Sequence, residues 1–223
     1  MYPLKQVHIG KVIRDAHAFN PQNWGKGAMN TDGLLQSVAR LFDLLREREI
    51  DYVLVGGIAL LNYVEGRNTE DIDLIMALSA LKELPEIVIT SQDADFARGK
   101  FGDLQIDFLL TQNKLFEKIL RENMTIQRFD GQLIPTATVD GLLLLKLYAL
   151  PSLYRLGDFT KVGIYENDIA TLVYSYSPEL DSLLEKLTLH LSEADMTELR
   201  TIVTEIKQKI VRFKKKTVGN HGR

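Results

Sequence analysis

The chain has 223 residues, 45% hydrophobic and 26% charged, with 15 glycines and 6 prolines; this composition excludes disordered, collagen-like and low-complexity classes and suits one domain with a smaller companion. Its 27 basic and 30 acidic residues give a net charge of -3, so the chain as a whole advertises no nucleic-acid partner, while a local basic face stays open. The absence of cysteine excludes disulfide frameworks, zinc-cysteine sites and thiol nucleophiles and suits a reducing compartment.

Residues 1–30 carry Gly10, Pro21, Gly25 and Gly27 with little periodicity, which predicts an irregular arm with one short helical piece over 12–18. Thr31 and Asp32 suit a helix N-terminus, and Leu34, Leu35, Val38, Leu41, Phe42 and Leu45 recur at helical steps, predicting an amphipathic helix to residue 49. Tyr52–Val55 reads as a strand ending at Gly56 and Gly57, followed by a helix over 60–64 and a second strand over 71–76. A third strand is predicted over 86–90, a hairpin over 96–110 around Gly99 and Gly102, and a helix over Lys114–Glu122. A second hairpin over 124–135 turns at Asp130 and Gly131, after which Thr138 and Asp140 suit the start of an apolar helix through residue 149. Helical spacing continues over 158–174, 178–191 and 192–216. The expectation is therefore an arm over 1–30, a mixed α/β domain over 31–137, a helical domain over 138–216 and a flexible tail over 217–223.

The first ten residues lack a sustained apolar core, and the most apolar stretch, 142–150, is short and broken by Lys146. The sequence therefore predicts a cytoplasmic protein with no membrane partner.

Chemistry concentrates in the α/β domain. Val55, Gly56 and Gly57 precede a thirteen-residue spacer and then Asp71, Ile72, Asp73 and Leu74, with Ile106, Asp107 and Phe108 downstream. Two aspartates separated by one residue on a strand share a face, while Ile72 and Leu74 turn to the core. Adjacent carboxylates repel and call for a neutralising cation. Mg2+, or Mn2+ in its place, is the candidate, since hard cations take carboxylate and phosphate oxygens. With Asp107 on a neighbouring strand, three carboxylates suit metal-assisted displacement at phosphorus, whose ions lie about 3.5–4 Å apart. The two glycines then let the backbone approach a phosphate ligand at a helix N-terminus.

On these residues the chain resembles the polymerase-β-like nucleotidyltransferase superfamily, whose signature is a hydrophobic residue, two small residues, a spacer and Asp-x-Asp. Gly56, Gly57, Ile58, Ala59 and Leu60, together with Arg67, Asn68, Thr69, Glu70, Asp71, Ile72, Asp73 and Leu74, resemble more narrowly the AbiEii/MenT branch, the nucleotidyltransferase toxins of type IV toxin–antitoxin systems. A second, looser likeness joins Lys146, Tyr148 and Ala149 to Lys161, Asp168 and Ile169. The resemblance implies a nucleotidyltransferase core with a small mixed sheet and a C-terminal helical domain that closes over the nucleotide. It implies that Asp71 and Asp73 bind Mg2+ and a nucleoside triphosphate, that Asp107 is a further metal ligand and activates the acceptor hydroxyl, and that Gly56 and Gly57 hold phosphates. It also implies that Lys146 contacts the triphosphate or the leaving pyrophosphate and that Asp168 positions that lysine. The implied acceptor is the 3′ end of tRNA, and the implied protein partner a cognate antitoxin.

The residues leave plainer readings beside these. An Asp-x-Asp pair alone is common at strand ends; its combination with the glycines and Asp107 is what carries the chemistry. Arg67 and Thr69 suit nucleotide contact as well as a loop ion pair and a strand-start hydroxyl. Lys146, set among Leu142, Leu143, Leu144, Leu145 and Leu147, must reach outward or meet an anion. The basic run of Lys207, Lys209, Arg212, Lys214, Lys215 and Lys216 suits an RNA backbone or a solvated helix end. The tyrosines of the helical part are core or interface aromatics before they are base-stacking groups, and the four histidines have no metal-ligand spacing. Two rival functions remain: transfer to a small molecule such as an aminoglycoside or to a protein, and nucleotide binding without chemistry. The latter draws on the missing hydroxyl after Gly57, where Ile58 and Ala59 stand.

Overall fold

Residues 7–20 and 31–219 are described by the computed structural model, which divides into two units, Met1–Thr138 and Val139–Arg223. The first opens with α1 (Ile9–Phe19), longer than the predicted piece over 12–18 because Ile9, Ile13 and Ala16 bury one helical face. Gly10 admits α2 (Thr31–Glu47) at close range: a Cβ there would sit 2.3 Å from the Leu35 side chain. Pro21, Gly25 and Gly27 lie outside the described residues, as do the side chains of Thr31 and Asp32.

β1 (Tyr52–Val55) is buried throughout and runs directly into α3 (Gly56–Leu60). The helix therefore begins on the glycines and ends where the sequence places its start. β2 (Ile72–Met76) precedes α4 (Leu78–Lys82), a short helix absent from the sequence expectation and anchored by Leu81. β3 (Val88–Gln92), offset from the predicted 86–90, is the fully exposed edge strand. β4 (Phe96–Phe101) and β5 (Leu104–Leu110) form the expected hairpin; Gly102, with φ 60°, takes the first central position of a two-residue turn. α5 (Lys114–Glu122) is capped by the Asn113 side chain, which accepts from the Leu115 backbone N–H at 3.0 Å. β6 (Met124–Phe129) and β7 (Gln132–Ala137) turn at Asp130 and Gly131, with φ 47° and 85°, the pattern whose twist matches a hairpin.

The strands form one mixed sheet in the order β3-β4-β5-β2-β1-β7-β6. β2 runs parallel to β5 and β1 parallel to β7, and the other pairs are antiparallel. A mixed sheet is the sequence expectation, and it reaches seven strands because both hairpins join it.

The second unit is helical: α6 (Val139–Arg155), α7 (Phe159–Tyr176), α8 (Leu180–Leu187) and α9 (Glu193–Gly219). α6 passes residue 149 and carries Pro151 inside it, since Leu150 and Pro151 are themselves buried; Gly157, with φ 68°, follows its end. Asp158 caps α7 by accepting from the Lys161 backbone N–H. α8 stops at Leu187, short of the predicted 191, and Ser192 accepts from the Asp195 N–H at the start of α9. Leu143, Leu144, Leu147, Leu172, Leu187 and Leu199 are fully buried within this unit. No described helix is long and apolar enough to cross a membrane.

Candidate active site

Residues in register on neighbouring strands share a face, as do alternate residues along one strand. β2 and β5 pair with Ile72 opposite Ile106 and Asp73 opposite Asp107. Ile72, Leu74, Ile106 and Phe108 are completely buried and fix one face in the core, which turns Asp73 and Asp107 to the other, half-buried face. Asp71 stands just ahead of β2, and its Oδ1 accepts from Gln105 Nε2 at 2.9 Å. Gln105 precedes Asp107 by two residues, so Asp71 joins the same face. Adjacent strands are about 4.8 Å apart; the acids picked out by their spacing are thus gathered from two strands, and their like charges need a counter-charge.

Arg98, which the sequence reading does not single out, supplies one. β4 and β5 pair with Arg98 opposite Asp107, and Arg98 Nε and Nη2 donate to Asp107 Oδ1 and Oδ2, each at 2.6 Å. The hydrogen bonding to Asp107 raises the guanidinium pKa above its ordinary value; partial burial opposes this, and the charges of Asp107, Asp71 and Asp73 raise it further. One guanidinium thus feels all three acids. The signal for it lies in the hairpin: a two-residue turn at Gly102 and Asp103 pairs Phe101 with Leu104, and that register carries Arg98 to Asp107.

Among the described residues, no group of three or more His, Asp or Glu side chains is arranged to hold a metal ion. The three carboxylates therefore do not stand as a ready cage; Asp107 is turned to Arg98, and Asp71 to Gln105. Their chemistry still fits a hard divalent cation, because carboxylate oxygens share one half-open face and a guanidinium holds a cation's place among them.

Gly56 has φ 65°, and a Cβ on it would lie 1.8 Å from Asp73 Oδ2. The Asp73 carboxylate is thus pressed against backbone that only glycine leaves bare. At Gly57 a Cβ would meet the Thr69 Cβ at 2.7 Å, so the segment before β2 lies against the same turn. The glycines here serve close packing onto Asp73 and Thr69. α3 has only five residues and offers little macrodipole, so the expected helix-terminus phosphate site gains no support from it. Thr69 Oγ1 donates to the Asp71 carbonyl oxygen at 3.4 Å, Arg67 Nη1 to the Asn68 carbonyl oxygen at 3.3 Å, and Asn20 Nδ2 to Glu70 Oε1 at 2.6 Å. The Thr69 hydroxyl thus sits just ahead of β2, and this Arg67 bond is to a backbone carbonyl rather than to an acid.

In the helical unit, Lys146 meets an anion. Its Nζ donates to Asp168 Oδ2 at 2.8 Å across α6 and α7, with both side chains almost wholly buried, and lies 4.4 Å from the Tyr165 ring centroid. Lys161 is exposed at the start of α7, 3.7 Å from Asp158. A separate cleft of about 580 Å3 between α7 and α9 is lined by Glu166, Tyr174, Ile206, Lys209 and Phe213 among others.

No family model and no curated protein matches the chain. Among solved structures it is similar to an antigenic nucleotidyltransferase-like protein from Paracoccidioides brasiliensis, with 20% identity over 74% of this chain and 90% of that one and a TM-score of 0.46. It is similar also to the antibiotic-resistance factor ANT(2'')-Ia, with 12% identity over 87% of this chain and 100% of that one and a TM-score of 0.48. A tRNA-processing enzyme matches with 16% identity over 81% of this chain and 58% of its own length, at a TM-score of 0.33. These likenesses are partial, and the chemistry below rests on this chain's own residues.

Proposed function

We propose that the chain is a metal-dependent nucleotidyltransferase that moves a nucleoside monophosphate from a nucleoside triphosphate to an acceptor hydroxyl. The observation that supports this most is the parallel register of Asp73 with Asp107, with Asp71 on the same face and the Gly56 backbone against Asp73. In this reading Asp71, Asp73 and Asp107 would hold the divalent ion. Bound there, an ion such as Mg2+ offsets charge on the triphosphate and on the oxygens exchanged at the α-phosphorus. Asp107 takes the proton of the acceptor hydroxyl. The acceptor oxygen forms its bond to the α-phosphorus, the bond to the bridging oxygen breaks, and pyrophosphate leaves with the electron pair.

The finer reading follows the AbiEii/MenT likeness: transfer to the 3′ end of tRNA by a toxin with a cognate antitoxin. The exposed Lys207, Lys209, Arg212 and Lys214 of α9 support an RNA backbone contact, although Lys207 and Lys209 also pair with Asp181 and Glu166. The same likeness gives Lys146 to the triphosphate and Asp168 to holding that lysine, and the buried bond between them supports the second assignment.

The test incubates the protein with Mg2+, each α-labelled nucleoside triphosphate and total tRNA, beside Asp73→Asn and Asp107→Asn. Label is expected on tRNA with the parent, and the variants are expected to lose at least about a hundredfold of the rate. Variants as active as the parent would refute the acid assignment. Triphosphate binding without pyrophosphate release from any acceptor would make the chain a binding module.

A further inference from the structure

The acid cluster contains a guanidinium for which the transfer reading has no use. Arg98 reaches Asp107 from β4 through its two-pronged fork; each Asp107 oxygen accepts one N–H, and the guanidinium lies across the edge of the carboxylate that a divalent ion would take with both oxygens. The pair is not sealed: the Arg98 side chain is 50% exposed and that of Asp107 25%. The two-pronged geometry makes this a firmer pair than most at a surface, but its exposure lets salt screen it and gives the guanidinium solvent to turn into. β4 carries Lys100 as well, but the register sets it opposite Gln105 and leaves Arg98 facing the third acid.

We propose that Arg98 is the resident counter-cation of the cluster, neutralising Asp107 while no metal is bound and releasing that carboxylate when a divalent ion enters, so that guanidinium and ion compete for one side chain. The proposal rests on the metal-dependent reading above. Such competition is reciprocal: whatever Arg98 contributes to the metal-free protein it withholds from metal affinity. Arginine suits the role because its charge is permanent and its planar fork matches a carboxylate; lysine keeps the charge without the fork, and glutamine keeps neither.

The test titrates Mn2+ into the nucleotide-free full chain, with the free ion followed by electron paramagnetic resonance. Parent, Arg98→Gln, Arg98→Lys and Asp73→Asn are compared, each checked for native circular dichroism. Arg98→Gln is expected to tighten Mn2+ binding about fivefold, the scale of one exposed charge pair, Arg98→Lys to tighten it less, and Asp73→Asn to weaken it. The Tm rise on adding Mn2+ should be larger for Arg98→Gln than for the parent. Equal or weaker binding by Arg98→Gln, with Asp73→Asn still weakened, overturns the proposal and leaves the metal site standing, with Arg98 orienting Asp107 for the ion. Absence of Mn2+ binding by all four proteins overturns the metal reading and the proposal together. Should Arg98→Gln fail to fold, Arg98→Lys decides: unchanged or weaker binding by it overturns the proposal.

Discussion

Arg98 and Asp107 meet on the half-open face of the sheet, with side chains 50% and 25% exposed, whereas Lys146 and Asp168 meet inside the helical unit at 6% and 4%. Both are short cation–carboxylate pairs joining neighbouring elements, yet their surroundings give them different physics. In the first, water reaches half of the Arg98 side chain and a quarter of that of Asp107, so neither ion is fully desolvated and another cation can take the place of Arg98 beside Asp107. In the second, each ion has been stripped of water and depends on the other, with the Tyr165 ring as a further contact for the ammonium. Exchange belongs to the open pair and permanence to the closed one.

The contrast breaks most visibly at the closed pair. Lys146→Met leaves the Asp168 carboxylate buried without its cation and is expected to cost about 3–5 kcal/mol of stability, read from denaturant unfolding. The double change Lys146→Met with Asp168→Leu should recover most of that loss, because no charge then remains to be desolvated. A single variant as stable as the parent would mean that Asp168 finds water or another donor, and the two pairs would differ less than their burial implies.

Next in size is the backbone beside the open pair. Gly56→Ala places a Cβ at φ 65° and 1.8 Å from Asp73 Oδ2, so it should cost at least about 1–3 kcal/mol and displace the carboxylate, with nucleotide transfer falling alongside. Gly66→Ala is the control: Gly66 has φ 80° with nothing within 4 Å of its added Cβ, so only the backbone term of about 1 kcal/mol remains. Equal losses in the two variants, with transfer intact in both, would mean that crowding of Asp73 against Gly56 contributes nothing.

These residues also mark what the sequence reveals and what it conceals. Asp71, Asp73 and Gly56 are legible because their relations are local: alternation on one strand, and a glycine at a strand end. Asp107 is legible as an acid between two apolar residues on a strand, and the structure sets it beside Asp73 in register. Arg98 goes unmarked because its meaning lies in pairing rather than in local pattern: the hairpin is legible, but which residue of β4 meets Asp107 depends on a register that the two-residue turn decides. The sheet order is hidden for the same reason, since the parallel pairing of β1 with β7 joins segments far apart in sequence. Element ends drift where tertiary packing overrides local signals. Pro151 is a stop signal by propensity, yet burial of Leu150 and Pro151 carries α6 past it. The apolar run before Lys146 requires an outlet or an anion, but only the crossing of α6 with α7 reveals Asp168 as that anion.

A third pair, between Lys209 and Glu166, lies between the two extremes, with side chains 59% and 17% exposed, and it sharpens the comparison through pH. Burial pushes the Glu166 carboxyl pKa up, but hydrogen bonds from Tyr154 and Lys209 and the Lys209 charge outweigh that and hold it below its ordinary value of 4.5. The folded protein therefore binds this proton less readily than the unfolded chain. The resulting stabilisation is present above pH 4.5 and is lost as pH falls through the lower folded value. Its size should stay within about 1 kcal/mol, because Lys209 is mostly in water. Glu166→Gln is then expected to flatten the decline of stability below pH 4.5 while leaving Lys146 and Asp168 paired, as followed by urea unfolding at stepped pH. An unchanged acid limb would place this pair with Arg98 and Asp107 as freely exchangeable; a loss several times larger would place it with the buried one.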